Sequence, residues 1–242
     1  MKKSMKAGAL LVAGIFALSA CGSSDDSASA DSPASDSPSP APTLAVGQEQ
    51  YTAEELEAAL TAVKADRGLT GEVSNDAALR PGLSESGAAP GGFNVAPEQC
   101  MEILGFANFF GDLDNANVAG LGASETQRIT VVSHADAAAL DQQVDDNSKL
   151  VDECAEFEMT GDGEGEVAKG TAERLDASTE APSTQAFTVT MAAAGVSFSG
   201  MKVAAASGTT NVVITVSESE DPKAALASAE ETINAVLAEL AQ

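Results

Sequence analysis

One histidine, three cysteines and two short acidic runs are where this 242-residue sequence offers reactive groups in suggestive company. His134 ends the strand-like run Ile129–Ser133 and is followed by Asp136. A strand end can host a general base, but a His beside an Asp where a helix starts also reads as a cap or surface residue. No neighbouring serine carries a nucleophile motif, and the G-x-S-x-G elbow, the P-loop and the dinucleotide fingerprint are all missing from the sequence. A hydrolase working through His134 is therefore the weakest reading, and no catalytic residue is assigned. The runs Asp112-Leu113-Asp114-Asn115 and Asp162-Gly163-Glu164-Gly165-Glu166 could turn oxygens toward calcium. Calcium takes about six to eight oxygens at fixed positions. The first run lacks the Gly and closing Glu of such a loop and the second lacks its spacing. Both read as solvated turns, so neither a metal nor a cofactor is expected.

The cysteines say more. Lys2, Lys3 and Lys6 precede the apolar run Ala7–Leu18, which is of signal-peptide length and too short to span a bilayer as a helix. Directly behind it stands Leu18-Ser19-Ala20-Cys21, which resembles the lipobox of bacterial lipoproteins. The resemblance implies cleavage after residue 20, diacylglyceryl transfer to the Cys21 sulfur, and further acylation of the new amine by a chain such as palmitate. Each buried methylene of such chains contributes roughly 0.8 kcal/mol to anchorage. An ordinary secretory signal with an unrelated cysteine is the alternative. Once Cys21 is acylated, Cys100 and Cys154 remain, and an even pair in an exported protein reads as one disulfide. Closing a loop of that span stabilises a fold by about 4 kcal/mol in the chain-entropy model.

The net charge of −25 excludes nucleic acid as a partner, because phosphates must be met by Lys and Arg. It also repels anionic headgroups, leaving membrane contact to the acyl chains of Cys21. A self-repelling soluble surface and adaptation to high salt both produce such a charge. Hydrophobic residues make up 44% of the chain, but with no Trp and only Tyr51 the core must rest on Phe, Leu, Val and Ile.

The organisation reads as a signal peptide over 1–20, the lipidated Cys21 with a Ser/Ala/Asp/Pro tether over 21–49, and an α+β domain over 50–242. The tether has too little apolar surface to offset its ordering entropy. In the domain, Thr52-Ala53-Glu54-Glu55 has capping-box form and opens a helix over 53–65. Residues 68–96 read as a loose irregular stretch, with turns at Arg80-Pro81-Gly82 and Pro90-Gly91-Gly92. Pro97 suits the first turn of a second helix presenting Cys100, Ile103, Leu104, Ala107 and Phe110. A strand over 126–133 and a helix over 135–151 follow. Period-two segments then occupy 156–159, 168–176, 185–193, 196–206 and 211–217, with hairpin turns at Ala194-Gly195 and Ser207-Gly208. A helix opened by Asp221-Pro222 closes the chain. The expectation is an antiparallel sheet of about five to six strands with helices packed on one face. Phe106, Phe109 and Phe110, close after Cys100, either line a pocket for an apolar ligand or form the core beneath the disulfide.

The order of these features resembles the extracellular sensor domain of PknH-type kinases of mycobacteria. It rests on the leading helix and Cys100, on Ile129-Thr130-Val131-Val132, and on the helix from Ala137-Ala138-Ala139 to Val151-Asp152-Glu153-Cys154. Asn211-Val212-Val213-Ile214-Thr215-Val216 before the helix 223–240 completes it. The resemblance implies an antiparallel sheet with packed helices and a cleft, and binding or sensing rather than catalysis. The expected protein is a lipid-anchored module on the outer face of the cell membrane. It would hold a small apolar or envelope-derived ligand or a partner protein. A structural or protein-interaction component of the envelope is the alternative.

Overall fold

The computed structural model describes residues 46–86, 93–104, 109–161, 167–193 and 195–242, all within the compact unit Pro42–Gln242. Helix α1 (Ala53–Arg67) starts at the capping box: the Thr52 N–H donates to Glu55 Oε2 at 2.8 Å and the Glu55 N–H to Thr52 Oγ1 at 3.3 Å. Leu56, Leu60 and Val63 are buried, as their helical spacing predicts.

Much of the described part of the stretch expected to be irregular is regular, while residues 87–92, with the expected turn Pro90-Gly91-Gly92, lie outside the described residues. The stretch holds β1 (Val73–Ser74), α2 (Asp76–Ser86) and β2 (Phe93–Ala96). Asn75 Oδ1 accepts from the Ala78 N–H at 3.0 Å, and Asp76 pairs with Arg80 at 2.6 Å, one turn apart. Arg80-Pro81-Gly82, expected as a turn, therefore lies inside α2. Leu79 and Leu83 pack this helix onto the sheet, and that tertiary contact outweighs the local breaker signal. The helix expected after Pro97 opens as a 3-10 turn at Glu98–Cys100 and continues as α3 (Met101–Leu104); residues 105–108 of that expected helix lie outside the described residues.

The remaining elements are β3 (Asn117–Gly122), β4 (Gln127–Ser133), α4 (Ala137–Glu153), β5 (Glu156–Gly161), β6 (Val167–Leu175), β7 (Ser183–Ala193), β8 (Val196–Ser207), β9 (Thr210–Ser217) and α5 (Pro222–Leu240). Asp136 caps α4 by accepting from the Ala138 N–H at 2.9 Å.

The strands form one nine-stranded sheet in the order β1-β3-β4-β9-β8-β7-β6-β5-β2, antiparallel at every pairing. Nine strands replace the expected five to six. The additional ones are β1, β2 and β3, short or Gly-containing segments that only their neighbours hold extended. The helices also lie on both faces rather than one. On the first, α1 and α5 cover Ala119, Ile129, Val131, Val212, Ile214 and Val203. On the second, α2 covers Val118, Val132 and Val213, while α3 and α4 cover Phe157, Ala172 and Phe187. Central strands are consequently apolar on both sides: every residue of β4 from Ile129 to Ser133 is buried. Toward β5 and β6 the first face is bare, and Glu156, Glu158, Lys169 and Glu173 alternate with buried Phe157, Ala168 and Ala172. The clean period-two reading belongs to that half.

The chain enters the domain against the β8–β9 turn. The Thr209 N–H donates to the Gly47 carbonyl at 2.9 Å, and Ser207 Oγ donates to that of Val46 at 3.0 Å. Gly47 and Gly208 stand back to back with φ of +74° and +54°.

Candidate functional site

Among the described residues, the sheet's second face is incompletely covered. Beyond α3, the β7–β8 hairpin continues past the last packed helix, and a groove of about 280 Å³ opens beside it. Ile103 and Leu104 of α3 form one wall. The floor comes from the hairpin, whose register sets Lys202 opposite Phe187, Gly200 opposite Val189, and Phe198 opposite Met191. Thr215 and Ser217 of β9 form the other side, with Glu218 at the rim. Residues two apart on a strand share a face, so Lys202, Gly200, Phe198 and Val196 succeed one another outward along β8. Burial falls along that line, from 7% exposure at Lys202 to 61% at Phe198.

Lys202 is the only charged residue between Glu180 and Glu218, and it is buried at the inner end of the groove. Its Nζ donates to the Ile103 carbonyl at 3.4 Å. It also lies over two aromatic faces, 4.5 Å from the Phe109 ring centroid and 5.9 Å from that of Phe187. Burial pushes the ammonium down to about 8. It therefore stays largely protonated at neutral pH. Sequence reading by motif missed this residue. The signal that could have found it is the charge pattern, a lone cation in a long uncharged stretch of a strongly anionic chain.

The residues singled out from sequence are distributed as follows. Cys21, Phe106 and the run 162–166 lie outside the described residues. Cys100 and Cys154 are joined by a disulfide with a Cα–Cα distance of 5.5 Å. It ties the 3-10 turn to the end of α4 above Val95, Phe157 and Phe187. Phe109 belongs to that cluster, its ring 5.0 Å from that of Phe187. It supports Lys202 from beneath and does not line the groove. Phe110 faces a different cluster, with Val118, Val132 and Val213. Asp112 closes its own turn, its Oδ1 accepting from the Asp114 N–H at 2.9 Å.

His134 is buried, and burial pushes its imidazole below the usual range, opposed by a hydrogen bond to the backbone of Asp112 and by that residue's charge. Its Nε2 meets no hydrogen-bond partner among the described residues, and hence no nucleophilic hydroxyl or thiol. It borders an opening of about 420 Å³ with Gly111, Asp112, Asn115 and Gln143. This continues through Gly111 and Gln143 into a trough of about 640 Å³ along α4, bordered by Glu102, Asp146 and Glu153. The trough is larger than the Lys202 groove, but its rim is largely polar and acidic, with Glu102, Gln142, Asp146 and Glu153, the kind of surface that stays solvated in a polyanion. The smaller groove combines apolar walls with a few polar groups, Lys202, Thr215, Ser217 and Glu218, the mixture that characterises ligand sites.

This architecture has counterparts among solved structures. Over 80% of the chain and 98% of its counterpart, it superposes on the crystal structure of the extracellular domain of PknH from Mycobacterium tuberculosis, with a TM-score of 0.50 and 14% identity. The fold is that of the PknH extracellular domain. An uncharacterized protein from Mycobacterium smegmatis is also similar, at 18% identity and a TM-score of 0.49 over 77% of this chain and 97% of that one. No protein-family model and no curated protein matches the sequence. At such identities the PknH likeness speaks for the fold alone. No helix among the described residues is long and apolar enough to cross a membrane.

Proposed function

We propose that this chain is a lipid-anchored, extracytoplasmic binding module of PknH-like fold, holding a small, largely apolar ligand in the groove between the sheet and α3. The observation that supports it most is the groove itself: apolar walls from Leu104, Val189, Met191 and Phe198 around one buried cation, Lys202. Location is supported by the leader and the Leu18-Ser19-Ala20-Cys21 sequence, and by the disulfide, which suits an oxidising compartment. His134 is buried, and its Nε2 meets no nucleophile among the described residues.

Native mass spectrometry of residues 22–242, exported in a related host and purified gently, tests binding. These residues contain the whole compact unit. A reproducible adduct of a few hundred daltons, released on denaturation, is the expected result, and a bare monomer in every preparation opposes it. Anchoring is tested on the full chain: Cys21→Ser should move the protein from the membrane fraction to the soluble fraction and abolish labelling by palmitate. A second reading, a protein-interaction role in the envelope, is favoured by the exposed Val196 and Phe198 near the hairpin end. Cross-linking from position 196 to a discrete protein, with no small-molecule adduct, would favour it.

A further inference from the structure

Strand β9 stops short of its neighbour. Its register with β8 ends at Gly200 opposite Ser217, and the Glu218 N–H then donates to the Ser199 carbonyl at 3.1 Å. Val196, Ser197 and Phe198 are paired to β7 on one side and, among the described residues, to no strand on the other. Residues two apart on an antiparallel strand turn their backbone groups the same way. The Ser199 carbonyl faces β9, so the Ser197 N–H and carbonyl face that side too, beyond the last pair of the ladder. Such an edge is a template for another extended segment. Its side chains are apolar and open, Val196 being 54% and Phe198 61% exposed. Both share the sheet face of Met191 and Gly200.

Glu218 stands where β9 ends, and it is the only non-glycine residue of positive φ among the described residues, at +53°. That left-handed turn breaks the alternation of the strand, so Ser217 and Glu218, neighbours in sequence, both border the groove. No hydrogen bond or ion pair among the described residues engages the Glu218 carboxylate.

Charge chooses the occupant of this edge. A second copy would bring another polyanion of net charge −25 and another Glu218, and no exposed cation on its hairpin, since Lys202 is buried. An anionic bilayer is repelled for the same reason. We infer that the free edge of β8 at residues 196–198 accepts a strand from a partner protein, an extended segment whose apolar side chains lie against Phe198 and Met191 and whose lysine or arginine meets Glu218. This rests on the protein-interaction reading of the hairpin end and names its mode and the partner's chemistry.

The probe is a fluorescein-labelled heptapeptide with lysine at both ends, valine at its third and fifth positions and threonine between them. Lysine and valine then share one face in either strand direction. Fluorescence anisotropy against residues 22–242 measures binding, and amide hydrogen exchange locates it. Saturable binding is expected, with slower exchange at the Ser197 N–H. Phe198→Ser should weaken it about fivefold or more, and Glu218→Gln about two- to fivefold. Both positions are exposed, so unfolding temperatures should stay close to the parent's. Added salt should weaken binding, and a heptapeptide ending in glutamate should not bind. Of two heptapeptides N-methylated at odd or at even residues, the one that loses the donors facing β8 should fail to bind.

Undiminished binding of both methylated peptides overturns strand addition. Equal affinity for the glutamate-ended peptide overturns the basic partner. Dimerisation that strengthens with salt and is lost in Phe198→Ser, without heptapeptide binding, overturns the partner assignment in favour of a second copy. Sedimentation with phosphatidylglycerol vesicles that is lost in Phe198→Ser overturns it in favour of a membrane surface. If the heptapeptide fails while a cross-linker at position 196 still captures a discrete protein in cells, strand addition is overturned and the protein-interaction reading stands.

Discussion

Lys202 Nζ lies 4.5 Å from the centroid of the Phe109 ring, so the one cation of the hairpin rests on an aromatic face from the segment that follows α3 in the chain. The ring face attracts the ammonium, while burial lowers its pKa to about 8. A folded-state pKa below the unfolded value means the unfolded chain binds more protons between those values. Stability should therefore rise as pH climbs from about 8 toward the unfolded value near 10.5. Lys202→Met removes the titrating group and should flatten this alkaline rise. Thermal unfolding of both forms at pH 7, 8.5 and 10 checks it.

His134 is expected to act on the acid side. Burial, the dominant influence, lowers its pKa, so the folded protein holds the imidazole neutral while the unfolded chain protonates it. The stability contributed is fully present above the unfolded value of about 6.5 and is lost as pH falls below it. His134→Gln should flatten unfolding temperature between pH 7 and 5 relative to the parent, apart from the shared titration of carboxylates.

Gly47 and Gly208 require the absence of side chains. A Cβ on Gly47 would lie 1.9 Å from the Ser207 carbonyl oxygen, and one on Gly208 would lie 2.1 Å from the Gly47 oxygen, each on a residue with positive φ. Either Gly→Ala substitution should cost more than about 2 kcal/mol, because left-handed strain adds to a backbone clash. Gly195, also at positive φ but with nothing near its Cβ position, should lose only about 1 kcal/mol as Gly195→Ala. Chemical denaturation of the three variants separates the two contributions.

The Cys100–Cys154 bond closes a separation of 54 residues. Cys100→Ser with Cys154→Ser should lower stability by about 2–5 kcal/mol. Because the bond holds α3, the groove wall, against the end of α4, the double variant should also expose Lys202. Faster acetylation of Lys202 by a water-soluble reagent, mapped by mass spectrometry, is the expected signature.

Local chemistry determined much of this protein by itself. Thr52 and Glu55 announce α1, Asp136 opens α4, Asp221-Pro222 opens α5, and the alternation through Phe157, Ala168 and Ala172 marks half-exposed strands, because each signal acts between residues a few positions apart. The cysteine pair was legible for a related reason: only one pairing remains once Cys21 is set aside. Tertiary structure decided the rest. Pro81 and Gly82 read as a turn until the Asp76–Arg80 pair and the packing of Leu79 and Leu83 hold them in a helix. β3 has Gly120 and Gly122 where a strand would normally show side chains, and it exists because β4 pairs along its whole length. The second layer of helices was hidden because a strand buried on both faces shows an apolar run rather than alternation, as β4 does. The groove was hidden most deeply. Leu104 is far in sequence from Lys202 and Thr215, which pair across the β8–β9 hairpin. The three meet only where β8 lies between β7 and β9 under α3, and burial at such a meeting point depends on the whole sheet being formed.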